Sequence, residues 1–142
     1  MPITKKVIKA NTVPRPKYVV LGIASHEKSY VLSWELGKIL ELEFAASENI
    51  EIVNRKDDVK TVEVFEASDN HILYRLISNI STEGTLLPSQ KNIDFLLLMH
   101  HAEKSDGLQV LERIKASRKI LTAFIIEEGV RDQNILDQLL VF

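Results

Sequence analysis

Three stretches without a polar face constrain this chain most. They are Tyr18-Val19-Val20-Leu21-Gly22-Ile23-Ala24, Phe95-Leu96-Leu97-Leu98-Met99 and Ile120-Leu121-Thr122-Ala123-Phe124-Ile125-Ile126. Side chains on a strand alternate between faces, so a run that is apolar at every position needs cover on both sides. All three read as buried strands, the first of them central. None approaches the length of a membrane span. A chain of 142 residues fits one domain. It buries roughly two thirds of its unfolded surface, enough to fold without a disulfide or a metal.

The segments between these runs fill in the architecture. A helix should follow the first strand from about Glu27 to Glu43, capped by Ser25 or His26, with Glu27 suiting the helix dipole. Ile50–Val53 is a short strand. Thr61–Glu66 and Ile72–Ile77 alternate, with Ala67–Asn70 as a hairpin turn between them. Their polar-leaning face places them nearer water than the first strand. Residues 78–92 form a loop with Gly84 and Pro88. Ser105-Asp106 can cap a second helix from about Gly107 to Ser117, with Leu108, Leu111 and Ile114 inward and Glu112, Arg113 and Lys115 outward. The tail, Val130 to Phe142, is apolar and helical at first. The expected fold is α+β: a mostly antiparallel or mixed sheet of about five strands with two main helices packed on it. A parallel doubly wound fold needs more helical crossovers than this.

The chain has no cysteine, which excludes disulfides, thiolate catalysis and cysteine-bound zinc or iron–sulfur centres. The start, Met1-Pro2-Ile3-Thr4-Lys5-Lys6, lacks a signal peptide's apolar stretch, so a cytoplasmic location is expected. Five of the 18 basic residues lie in 1–17 with no acid among them. The rest sets 13 basic residues against 20 acidic ones, a net −7. Residues 1–16 are expected to be a flexible basic leader, of which 1–12 are dispensable for folding, and 17–142 a single domain. An arm that touches phosphate is the leader's other reading. The acidic body argues against a nucleic-acid platform.

Ser25-His26-Glu27 sits where a buried strand turns into a helix, a place where ligands often bind. The turn has no glycine after Gly22, and the chain has no P-loop or dinucleotide fingerprint. Capping and packing are its first reading, and a ligand site its second. His100 and His101 point to opposite faces of an extended chain. Were their strand parallel to the first, His26 and one of them would converge with Glu27 or Glu103 on zinc or iron. The expectation without that topology is no metal and no cofactor. Asp94 caps loop N–H groups, or is a catalytic carboxylate, for which the sequence names no titratable partner.

Leu87-Pro88-Ser89-Gln90-Lys91-Asn92-Ile93-Asp94-Phe95 resembles the signature of the uncharacterised bacterial IPExxxVDY family. Its apolar, proline, aspartate and aromatic positions match in kind, and Ser89 stands where the family has glutamate. Leu21–Lys28 with Trp34, and Leu121–Phe124, are similar to other segments of that family. The resemblance implies a bacterial cytoplasmic protein of about this length, and no activity.

The helix after the first strand has another property. Tyr30, Val31, Leu32, Trp34, Leu36, Ile39, Leu40, Leu42 and Phe44 spread around the whole helix. A surface helix normally keeps a polar face. Cover should therefore come from the chain's own tail, Leu139–Phe142, or from a second copy, with Trp34 as anchor of a homodimer. The expected function is a non-catalytic binding or regulatory protein, acting through protein–protein contacts or self-association. The alternative is a small enzyme or small-ligand-binding domain built on Ser25, His26, Glu27, Asp94 and His100. A nucleic-acid accessory role through the leader stands third.

Overall fold

The computed structural model describes residues 17–53, 58–81, 84–127 and 133–140. The basic leader lies outside the described residues. Among these residues ten strands and three helices follow in chain order: β1 (Tyr18–Ala24), α1 (Ser29–Leu40), β2 (Ala45–Ala46), β3 (Ile50–Val53), β4 (Val59–Val62), β5 (Val64–Ser68), β6 (Leu73–Ser78), β7 (Ile80–Ser81), β8 (Gly84–Thr85), β9 (Phe95–His100), α2 (Lys104–Ile114), β10 (Thr122–Ile125) and α3 (Gln133–Leu139). Six strands form one antiparallel sheet in the order β10-β1-β9-β6-β5-β2. β3 with β4, and β7 with β8, make two small ribbons. The fold is α+β, as expected.

The sheet is covered on both faces, which is why β1 and β9 are apolar throughout. On one face Val19, Leu21, Ile23, Leu97 and Met99 pack with Leu32, Leu36 and Leu40 of α1 and Val110 and Ile114 of α2. On the other, Val20, Leu96, Leu98 and Ile77 meet Ile52 and Val62 of the ribbon, Leu87 and Ile93 of the long loop, and Ile135, Leu136 and Leu139 of α3. Each fully buried aliphatic side chain contributes about 2 kcal/mol. α2 lies close on β1 because residue 107 is glycine; a Cβ there would come within 2.6 Å of Val19.

Several expectations need correction. The third apolar run is not a buried strand. Only Thr122–Ile125 pairs, at the edge of the sheet, and Leu121 and Phe124 are exposed. β6 is interior rather than nearer water. Its one charge, Arg75, is buried because Glu66 takes its Nε at 2.6 Å. Thr61–Glu66 is not one strand; it breaks at Glu63, sending Val59–Val62 to the ribbon and Val64 onward to the main sheet. The hairpin itself forms. Its turn is held by the Asp69 carboxylate, which accepts the N–H groups of His71 and Ile72 at 2.8 and 2.7 Å. Burial works against the Asp69 charge, but these donors hold its pKa below the ordinary value.

α1 starts at Ser29, so neither Ser25 nor His26 caps it. Lys28 occupies the cap position without a side-chain hydrogen bond. The helix stops at Leu40, where Glu41 turns left-handed at φ 58°, so Leu42 and Phe44 fall beyond it. α2 starts earlier than expected, through a capping box in which Glu103 and Asp106 each hold the other's backbone N–H. Leu108 is half exposed instead of inward. α3 packs beside β3 on the sheet face opposite α1, so the described tail does not cover Trp34. Val141 and Phe142 lie outside the described residues.

Candidate functional site

β1 and β9 run antiparallel with Ile23 opposite Phe95 and Tyr18 opposite His100. That register decides which candidates meet. Ser25 and Asp94 lie together where β1 exits and β9 enters. His100 lies at the far end. The convergence of His26 with His100 or His101 required parallel strands and does not occur. Among the described residues, no group of three or more His, Asp or Glu side chains could hold a metal ion.

Ser25, His26, Glu27 and Asp94 line one open cleft of about 560 Å3, with Lys28, Ser29, Tyr30, Ser78, Ile80 and Phe95. Its polar floor is occupied by structural bonds. The Ser25 N–H donates to Asp94 Oδ2 at 2.8 Å. The Ser25 hydroxyl donates to the Lys119 carbonyl at 2.7 Å and accepts the Glu27 N–H at 3.1 Å. Such a short Ser-based turn redirects the chain into α1. A serine whose hydroxyl proton is committed to a carbonyl is not poised as a nucleophile. His26 and Lys28 are exposed at the rim.

Asp94 is positioned by a residue that sequence reasoning missed. Asn79 is buried at the end of β6. Its amide donates to the Gln90 and Ile93 carbonyls, both at 2.8 Å, and its side-chain oxygen accepts the Leu87 N–H at 2.8 Å. Its backbone N–H donates to the Asp94 carbonyl, and its own carbonyl accepts the Leu86 N–H. One asparagine thus clamps the loop that carries Pro88. A lone Asn at a strand end gives no sequence pattern that marks it as buried. The Leu87–Phe95 motif is therefore a loop clamp, with Leu87, Ile93 and Phe95 in the core.

His100 is buried on the α3 face of the sheet. Burial, then the neighbouring Arg75 charge, then His101 push its pKa down to about 4, so it is neutral near pH 7. Arg75 also donates to the Leu139 carbonyl at 3.3 Å, which ties down the last turn of α3. The Gln133 amide reaches the Tyr18 hydroxyl at 3.4 Å. This end of the sheet is a docking socket for α3.

A second open cleft, about 660 Å3, lies along β2 and carries Glu41, Glu43, Glu66 and Asp69. Nearby, burial and then the Asp69 charge raise the Tyr74 pKa to about 12, so this hydroxyl stays protonated.

The outer face of α1 is different in kind. The helix buries Leu32, Ser33, Leu36, Gly37 and Leu40. Tyr30 and Trp34, one turn apart, are 62% and 65% exposed. Lys38, a further turn on, sets its ammonium 4.1 Å from the centre of the Trp34 ring. Tyr30 borders the cleft at Ser25, and Trp34 borders a smaller groove with Gly37, Leu42 and Phe44. Compared with known proteins, the chain matches no family model and no curated sequence. No helix among the described residues is long and apolar enough to cross a membrane.

Proposed function

We propose that this chain is a non-catalytic binding or regulatory protein of the cytoplasm, acting through protein–protein contacts on the outer face of α1. The observation that carries this reading is the exposed Tyr30–Trp34 pair. Large aromatics set one turn apart on a helix suit a partner's groove, and tryptophan and tyrosine dominate binding energies at interfaces. The internal commitment of Ser25 and Asp94 weighs against chemistry at the neighbouring cleft. The resemblance to the IPExxxVDY family adds a bacterial source and no activity.

The test is a photo-crosslinking residue at position 30 in the producing cell. The expected result is one dominant adduct that disappears when Trp34→Ala is added. Absence of any specific adduct at position 30 would sink the reading. A small-ligand site at the turn is the second reading, favoured by the cleft beside His26. A compound that raises the melting temperature of the wild type and not of His26→Ala would establish it instead.

A further inference from the structure

We propose that β10 is a self-association edge, at which two copies pair antiparallel across a two-fold axis and join their main sheets into one. This goes beyond the α1 reading and does not depend on it.

Among the described residues, β10 has no neighbour on its outer side. The backbone bonds fix which groups face that side. Val20 accepts from the Ile126 N–H, whereas Lys17 and Ile23 accept from the β9 side, through His101 and Asp94. Even-numbered β1 residues thus face β10, and their partners Thr122, Phe124 and Ile126 face inward. Alternation turns the N–H and C=O groups of Ala123 and Ile125 outward. Natural edge strands are normally protected by charge, proline or a covering element. Leu121 to Ile126 contains no charge and no proline.

Exposed apolar side chains gather along this edge. Leu121 is 58% exposed and Phe124 38%. Leu108 of α2 adds exposed apolar surface on the α2 face of the sheet, opposite the face that carries Phe124. Arg113 reaches across to the Ile39 carbonyl of α1, while Lys104 reaches Glu127 at 3.6 Å, just past β10. At 100° per residue Leu108 lies on the Lys104 flank, away from α1. It is half exposed there.

Charge selects the occupant and the register. Lys119 precedes the strand, beside Ser25, and Glu127 follows it. Opposite charges at the two ends of one strand are self-complementary only when a second copy runs antiparallel. Pairing Ala123 with the partner's Ala123 joins the outward N–H and C=O groups of that residue in both copies; Leu121 takes no part as a donor, because its N–H is given to the Ala24 carbonyl of β1 at 2.8 Å. It also sets Thr122 against the partner's Phe124 in a non-hydrogen-bonded pair, and brings the Lys119 turn of each copy towards the end of the strand that the partner's Glu127 follows. Glu127 already shares an exposed contact with Lys104, which leaves its carboxylate accessible to a second cation. The opposite edge of the sheet offers no such match. β2 has two residues, and the carboxylates of Glu41, Glu43 and Glu66 line the cleft beside it, so two copies would repel there.

The absence of cysteine makes the register directly testable. Thr122→Cys and Phe124→Cys chains, each folded by circular dichroism, are mixed and oxidised. The expected product is a disulfide dimer between the two different variants, with little from either alone, because a non-hydrogen-bonded pair brings the two β-carbons close to disulfide distance. Light scattering at tens of micromolar should give twice the chain mass for the wild type and for Trp34→Ala, and the single mass for Phe124→Lys. Lys119→Glu should weaken the dimer by about tenfold, and Lys119→Glu with Glu127→Lys should restore it. A monomeric wild type, a dimer that survives Phe124→Lys, or crosslinks that form equally within a single variant would overturn the proposal.

Discussion

The loop at residues 79–94 and the outer face of α1 break the usual distribution of residues in opposite directions. The loop draws polar groups inside: Asn79 is buried, and the half-buried Asp94 accepts the Ser25 N–H just past β1. The helix leaves aromatics outside, with Tyr30 and Trp34 mostly in water. Their consequences for function are opposite too. Asn79, whose side-chain bonds all go to backbone, specifies a conformation and has nothing left for a ligand. An exposed aromatic pair does little for the fold and remains available to a partner. The more motif-like of the two segments is the structural one.

Breaking the inward side should have the largest effect. Asn79→Ala removes three side-chain hydrogen bonds and leaves the Leu87 N–H and the Ile93 carbonyl without partners, while the Gln90 carbonyl keeps the Ile93 N–H. An unsatisfied buried group costs about 1–3 kcal/mol, so a loss of about 4 kcal/mol is expected, read as a lower urea midpoint with an unchanged slope. A loss below about 1 kcal/mol would mean that water replaces the amide, and that the loop is no clamp.

His100 sharpens the comparison from the other end of the sheet, because it is buried and ionisable. Its folded pKa of about 4 lies below its ordinary 6.5. Between those values the unfolded chain binds more protons than the folded one. The stability it contributes is therefore complete above pH 6.5 and is lost as the pH falls towards 4. The shift amounts to at most about 3 kcal/mol. Urea midpoints measured across that window should fall for the wild type and stay flatter for His100→Gln. Parallel profiles for the two proteins would show that His100 takes up its proton without disturbing the α3 socket.

What the sequence disclosed follows from where its information is local. β1 and β9 were legible because an uninterrupted apolar run states its own two-sided burial. The Leu121–Ile126 run looks the same, yet it lies at an edge. Edge and centre differ only by which strands pair, and the run does not contain that. Arg75 made β6 look like a surface strand; its partner Glu66 sits on β5, across the hairpin. Ser25 and Asp94 were both legible as turn residues. Their meeting, and the separation of His26 from His100, depended on one antiparallel register. Nothing in the sequence marked Asn79, since its side-chain partners are backbone atoms up to 14 positions away.

The smallest expected stability effect belongs to Trp34, and it bears most on function. Trp34 gives up little burial on truncation, because roughly two thirds of its surface is already in water. It also loses the contact with the Lys38 ammonium, which at an exposed site stabilises by about 0.5–1 kcal/mol. Alanine returns about half of that through its higher helix propensity. The net change in unfolding free energy for Trp34→Ala should lie within about 0.5 kcal/mol, the range of an ordinary surface substitution. Yet the same change should abolish the adduct formed from position 30, since a hot-spot tryptophan at an interface is worth about 2 kcal/mol or more. Denaturation and crosslinking on one variant thus separate the two roles. A loss of more than about 2 kcal/mol in stability would mean that Trp34 is covered in solution by residues outside the described set, and that the exposed face of α1 belongs to the fold after all.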